Sequence, residues 1–403
     1  VTEEPLSSAR LYVLRGCDGL ASAVASYAVP LLVLLTTGSP ALTGVAFAVE
    51  WAPRLAAFTV AGTLSERHRP ARVLFATGLL RALVVIAAAF VLAFSTSQTV
   101  ALSTVLVLGA VAGLLNEVGY VASETLSADS SRRGGGHRTQ AAMTSIDQGT
   151  ALAAPVCGGV ALLGGATPLL VLVAVLSLAT AWAAPAPREA TVKFREVAPP
   201  AGGLAAGWRT LRAVPALLWL VGGLAVSNAA TGIVQAGAPI MVVDRFGLSF
   251  AHIGVLWSVA ACAALGVVWL VQRVIGRWGV WPAGVLCATT CTSGCLAVAL
   301  APSFLSYAVA VAVMMAAEGG LTVVLRTLRS RLLPASGFAS ALSVSIICGI
   351  APLPLVGLLV GAVPPARLGI LVTVGALLQA ACLTGAFWRL RPVVAGPDHV
   401  LAA

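Results

Sequence analysis

Apolar residues run along this chain in long unbroken blocks, not in the alternation of a half-buried strand or the one-sided stripe of a surface helix. About 20 consecutive apolar residues cross the hydrocarbon core of a bilayer as an α-helix. Cutting at charged and Pro/Gly-rich breaks predicts twelve such helices: 11–36, 42–64, 71–95, 98–126, 139–163, 166–186, 212–241, 250–274, 280–301, 303–328, 336–362 and 366–388. Glu3 and Glu4 ahead of the first block, and that block's length, argue against a cleaved secretory leader.

The longest polar stretch lies near the midpoint. It divides the prediction into a six-helix bundle over 1–186, a linker over 187–211 and a second bundle over 212–403. Weak internal echoes fit a duplicated plan. Pro30 precedes Gly38 by eight residues at the end of the first span, as Pro239 precedes Gly247 in the seventh. Glu117-Val-Gly119 of the fourth span matches Glu318-Gly-Gly320 of the tenth, and Pro155 to Gly158 of the fifth matches Pro354 to Gly357 of the eleventh.

Composition agrees. Of 403 residues, 59% are hydrophobic and 9% charged, too little polar surface for a soluble chain of this size. The net charge of +10 follows topology: with the N-terminus inside, 20 of the 24 Lys and Arg residues fall on the cytoplasmic side. Both termini are therefore expected there, in a bacterial cytoplasmic membrane, with no nucleic-acid partner. The eight cysteines lie in apolar blocks. Cys287, Cys291 and Cys295 form one stripe, read as packing and not as a metal site. No phosphate-binding loop and no nucleophile constellation is visible, so the chain is read as a non-enzyme without cofactor.

Ionisable residues inside spans are costly, so they face a partner or a cavity. Counting along the helices brings Asp18, Arg54, Arg81, Glu117 and Asp147 to one layer near mid-membrane, with Asn116 beside them. Glu50 lies one turn from Arg54 and is spaced to pair with it. Four acids face two bases, leaving two carboxylates over, and unmatched carboxylates at low dielectric are expected to exchange protons near neutral pH. The competing reading is a static network that staples helices together. In the second half, Glu318 is the one deep acid; with Asn228 and Gln235, and with Tyr27 and Asn116 from the first half, it makes up the polar set expected to line a central cavity.

The loop after the second span reads Gly62-Thr-Leu-Ser-Glu66-Arg67-His-Arg69-Pro-Ala-Arg72, and the fifth span carries Ala154-Pro155-Val-Cys-Gly158-Gly159. With twelve spans and a central linker, the chain resembles the major facilitator superfamily, most of all bacterial drug, macrolide and siderophore exporters. Glu66 stands where that family's loop usually has Asp, and Ala154 where its antiporter motif has Gly. The resemblance implies an all-α fold of two pseudo-symmetric six-helix bundles and alternating access. It also implies a cytoplasmic gate at Gly62, Glu66, Arg67 and Arg72 and a rocking helix at Pro155, Gly158 and Gly159. Spans 1 and 4 line the cavity in that family, which makes Asp18 and Glu117 the first choices as proton carriers. The expected function is proton-coupled export of a small amphiphilic molecule (a drug, antibiotic or siderophore) by a monomer. Proton-coupled import, metal-ion export and lipid flipping are the alternatives.

Overall fold

The computed structural model describes residues 8–67, 70–130, 136–184, 203–332 and 338–395. Among them the regular structure is helical throughout, with no strand. Inside a bilayer a backbone must satisfy its own hydrogen bonds, and the helix does so within one segment.

The chain forms two compact units, Val1–Pro199 with Ser249–Ser258, and Pro200–Leu248 with Val259–Ala403. The first contains α1 (Ser8–Thr37), α2 (Pro40–Arg67), α3 (Pro70–Phe94), α4 (Gln98–Ser130), α5 (Gly136–Leu163) and α6 (Ala166–Ala183). In it α2 lies along α4, α3 against α4 and α6, and α1 against α4, α5 and α6. Leu14, Ala57, Leu74, Val118 and Ala183 are among the residues of its core. Arg10 closes the end of α6, donating from Nε to the Ala183 carbonyl at 2.9 Å and from Nη2 to Ala184 at 3.1 Å.

The second unit contains α7 (Gly203–Ala213), α8 (Pro215–Ile240), α10 (Val280–Leu300), α11 (Phe304–Leu332), α12 (Phe338–Ile350), α13 (Pro352–Ala362) and α14 (Leu368–Ala395). Helix α9 (Phe250–Trp278) is divided between the two groups of residues. The core of the second unit joins Leu217, Leu220, Cys287, Val324, Leu383 and Phe387. The predicted eleventh span is α12 and α13 in sequence. Ala351 keeps helical dihedrals and its N–H reaches the Ile347 carbonyl at 2.9 Å, so the path continues through the prolines at 352 and 354.

Eleven segments among the described residues are long and apolar enough to cross a membrane. Helix α2 is not one of them by composition, although its 28 residues reach about 42 Å. Glu50 and Arg54 within it, and Glu66 and Arg67 at its end, lower its hydropathy. One element was not expected. The stretch read as linker ends in α7, an amphipathic helix whose Leu211 is buried in the second core while Trp208, Arg209 and Arg212 stay exposed. Val214 is extended and Pro215 starts α8, which separates the two helices.

The echo between Gly38 and Gly247 has a conformational basis. Both adopt left-handed backbone, with φ of +61° and +66°, in the turns after α1 and after the π-helical end of α8.

Candidate functional site

Six helices of the first unit converge on three buried arginines. A close helix approach is set by Gly113 on α4: a Cβ there would run into the Glu50 carbonyl oxygen and lie 3.5 Å from Cγ of Arg54. Without a side chain at 113, α2 and α4 come together, and Glu117, one turn further along α4, meets the charged face of α2. Gly119 does the same for α1, since its missing Cβ would lie 3.3 Å from an Asp18 carboxylate oxygen.

Arg81 is the most enclosed, with 1% of its surface exposed. Its Nη2 donates to Asp18 Oδ1 at 2.6 Å, its Nη1 to Ser22 Oγ at 2.7 Å and Asn116 Oδ1 at 2.9 Å, and its Nε to Ser177 Oγ at 3.0 Å. Asn116 also donates to the Ser22 carbonyl at 3.4 Å. Each nitrogen of this guanidinium donates at least once, across α1, α4 and α6, the condition for holding a buried charge.

Arg54 has a different environment. Its Nη2 donates to Glu50 Oε1 at 2.6 Å, one turn back on α2, and also to Ser26 Oγ. Its Nη1 lies 3.7 Å from Glu117 Oε1, and its guanidinium carbon sits 4.1 Å from the centre of the Trp51 ring. One cation therefore serves two carboxylates, Glu50 tightly and Glu117 loosely. Glu117 is the more accessible of the pair, its side chain 16% exposed against 2% for Glu50.

The third arginine corrects the charge count. Arg15, one of the 20 basic residues that the charge distribution places on the cytoplasmic side, is buried and grips Asp147 of α5 with two bonds, Nε to Oδ1 at 2.6 Å and Nη2 to Oδ2 at 2.7 Å. Its Nη1 reaches Ser123 Oγ, and its guanidinium lies 4.9 Å from the Tyr120 ring centre. Among the described side chains, four acids thus face three bases, which leaves one carboxylate in excess and not two. A signal was present in the sequence: Arg15 precedes Asp18 by three residues, which places both on one face of α1.

The remaining expected residues fall as follows. Pro155 is half-buried inside α5, while Gly158 and Gly159 are buried. Gly158 forms the notch for Tyr27, whose ring atom Cδ1 would be 2.7 Å from an added Cβ. The Tyr27 hydroxyl is buried without a hydrogen-bond partner. Gly62, Glu66 and Arg67 belong to the last turns of α2, where the surroundings of their side chains lie outside what is described, whereas Arg72 is exposed on the first turn of α3. In the second unit, Asn228 donates to the Gly349 carbonyl at 2.9 Å, Gln235 is half-buried on α8, and half-buried Glu318 accepts from Thr322 Oγ1 at 3.1 Å.

A neutral junction in the second unit was missed. Gln379 of α14, buried to 1%, donates to Ser227 Oγ at 2.9 Å and to Cys291 Sγ at 3.3 Å. A lone glutamine in an apolar block carries no periodic signal, so only its neighbours reveal it.

The comparisons with known proteins agree with this architecture. A search of curated sequences finds no match. Among solved structures, a point variant of the nucleoside transporter NupG superimposes with a TM-score of 0.75 at 11% identity, covering 94% of this chain and 99% of that one. An inward-facing bacterial homologue of the iron transporter ferroportin reaches 0.70 at 13% identity, over 95% and 98%. A bacterial metal transporter reaches 0.68 at 13%, over 96% and 100%. At these identities the likeness is one of fold. The sequence model of the Major Facilitator Superfamily matches residues 11–352, and the chain is a multi-pass membrane transporter belonging to that family.

Proposed function

We propose that this transporter couples proton movement to the export of small amphiphilic organic molecules. The observation that carries the reading is the shared guanidinium of Arg54, with Glu50 at 2.6 Å and Glu117 at 3.7 Å. Buried cations and anions are tolerated when matched, and here one carboxylate is surplus. Glu117, looser and more accessible, is the one to take the proton. Protonated, it no longer pulls on Arg54, which stays with Glu50. Deprotonated, it competes for the same cation. Each cycle thus alters the attraction between α2 and α4 and gives the first unit two states that protonation selects between. Asp18, first considered alongside Glu117, has its own arginine, so its role in this scheme is to hold α1 to α3.

Export in place of import is supported by the likeness of Ala154-Pro155-Val-Cys-Gly158-Gly159 to the antiporter motif, and an amphiphilic cargo by the Ala, Val, Leu and Gly that dominate the chain. Inverted membrane vesicles with an imposed pH gradient provide the test. Gradient-driven uptake of an amphiphilic cation or macrolide is expected, abolished by Glu117→Gln while exchange of cargo at equal pH persists. Gradient-driven uptake at full rate in both Glu117→Gln and Glu50→Gln removes the coupling proposal. Accumulation in right-side-out vesicles alone reverses the direction.

A further inference from the structure

The charges of this chain are divided unevenly. Residues 200–403 contain eleven arginines and three acids, Asp244, Glu318 and Asp398. Asp244 lies at the far end of α8 and Glu318 inside α11, while Asp398 falls outside the described residues. The end of the second unit where α8 and α10 begin and α14 finishes is therefore strongly basic. Every ion pair found among the described residues joins side chains of the first unit.

Three arginines at this end share one construction. Arg389 on α14 lies 5.8 Å from the ring centre of Trp219 on the first turns of α8, and Arg391 lies 5.6 Å from Trp281 at the start of α10. Arg212 lies 5.0 Å from Trp208 within α7. Two of the rings are themselves held. Trp281 donates its indole N–H to the Phe387 carbonyl at 3.0 Å, and an added Cβ on Gly385 would lie 3.5 Å from Trp219. The three arginines are exposed, and so are Trp208 and Trp219. A ring beneath a guanidinium orients it without occupying its N–H donors, which remain available to a phosphate in a bidentate fork. Helix α7 adds the form of an interfacial helix, docked through Leu211 with Trp208 and its arginines outward.

We propose that this end of the second unit is a binding rim for anionic phospholipid headgroups, each arginine–tryptophan pair taking a headgroup phosphodiester. Tryptophan belongs at the depth where acyl chains meet headgroups, and clustered arginine beside it selects lipids with net negative charge.

Native mass spectrometry of the full chain in neutral detergent, titrated with short-chain phosphatidylglycerol or phosphatidylcholine, tests this. Phosphatidylglycerol is expected to bind roughly tenfold more tightly or better. The combined variant Arg212→Gln, Arg389→Gln, Arg391→Gln should lose that preference while still binding phosphatidylcholine. Arg367→Gln, at the start of α14, should keep it. Should the combined variant fail to fold, Arg389→Gln and Arg391→Gln singly should each weaken phosphatidylglycerol by about fivefold. Equal affinity for the two lipids, or preference undiminished in the arginine variants, overturns the proposal. Displacement of phosphatidylglycerol by inorganic phosphate at constant ionic strength also overturns it, in favour of a site for free anions.

Discussion

Arginine 81 and arginine 54 illustrate how two side chains of the same type take different tasks from their surroundings. Arg81 has all three nitrogens engaged by Asp18, Ser22, Asn116 and Ser177. Removing it strands a buried carboxylate, at a cost of about 3–5 kcal/mol. Arg81→Ala should therefore fall sharply in folded yield and in the thermal midpoint of the detergent-solubilised protein. The double variant Arg81→Gln, Asp18→Asn, which removes both charges, should recover much of that loss. If the double variant is as unstable as Arg81→Ala, the pair is not what holds the site. Arg54, by contrast, has two acids to choose between, and Glu117→Gln should leave folding intact while abolishing gradient-driven movement. Along the chain only the Glu50–Arg54 spacing was legible; that Arg54 also meets Glu117, and that Arg81 has Asp18 to itself, was not.

Between elements, the decisive residues are the ones with no side chain. Gly113 permits the contact of α2 with α4 on which the Glu50–Arg54–Glu117 cluster depends. Gly113→Val forces the helices apart against the Glu50 carbonyl and should destabilise by about 1–3 kcal/mol, with transport lost. Gly222 on α8 has no heavy atom within 4 Å of an added Cβ, so Gly222→Ala should be neutral or slightly stabilising. Comparing thermal midpoints of the two variants separates a packing effect from a generic response to larger residues. Helix boundaries were largely legible, because charge and Pro/Gly breaks mark where apolar blocks stop; the third span, read as 71–95, forms Pro70–Phe94. Helix α7 was not legible. Eleven residues are too short for a spanning block, and the helix draws stability from Leu211 entering a core made by other segments.

For the molecule as a whole, the positive-inside distribution predicts which turns face which side. Ser97, in the turn between α3 and α4, and Ser303, before α11, should both lie outside. Cysteine placed at either, with the native cysteines replaced, should react with a membrane-impermeant thiol reagent in intact cells. Cysteine at Ala213 should react only after the membrane is opened, and the reverse pattern would invert the orientation. The same distribution concentrates net positive charge in residues 200–403 and gives the second unit its basic rim.

Sequence alone determined the membrane setting, the helical class and the near-complete set of spans, because a bilayer imposes one length and one composition on whatever crosses it. It also pointed to the buried ionisable residues other than Arg15, since a charge deep in an apolar block is conspicuous, whereas one near the start of a block reads as its flank. Tertiary structure decided their partners. Depth along a helix can be counted, but the facing direction of a side chain and the neighbour it meets depend on helix packing, set here by Gly113, Gly119 and Gly158. Arg15 turned inward to Asp147 for that reason, changing the surplus from two carboxylates to one.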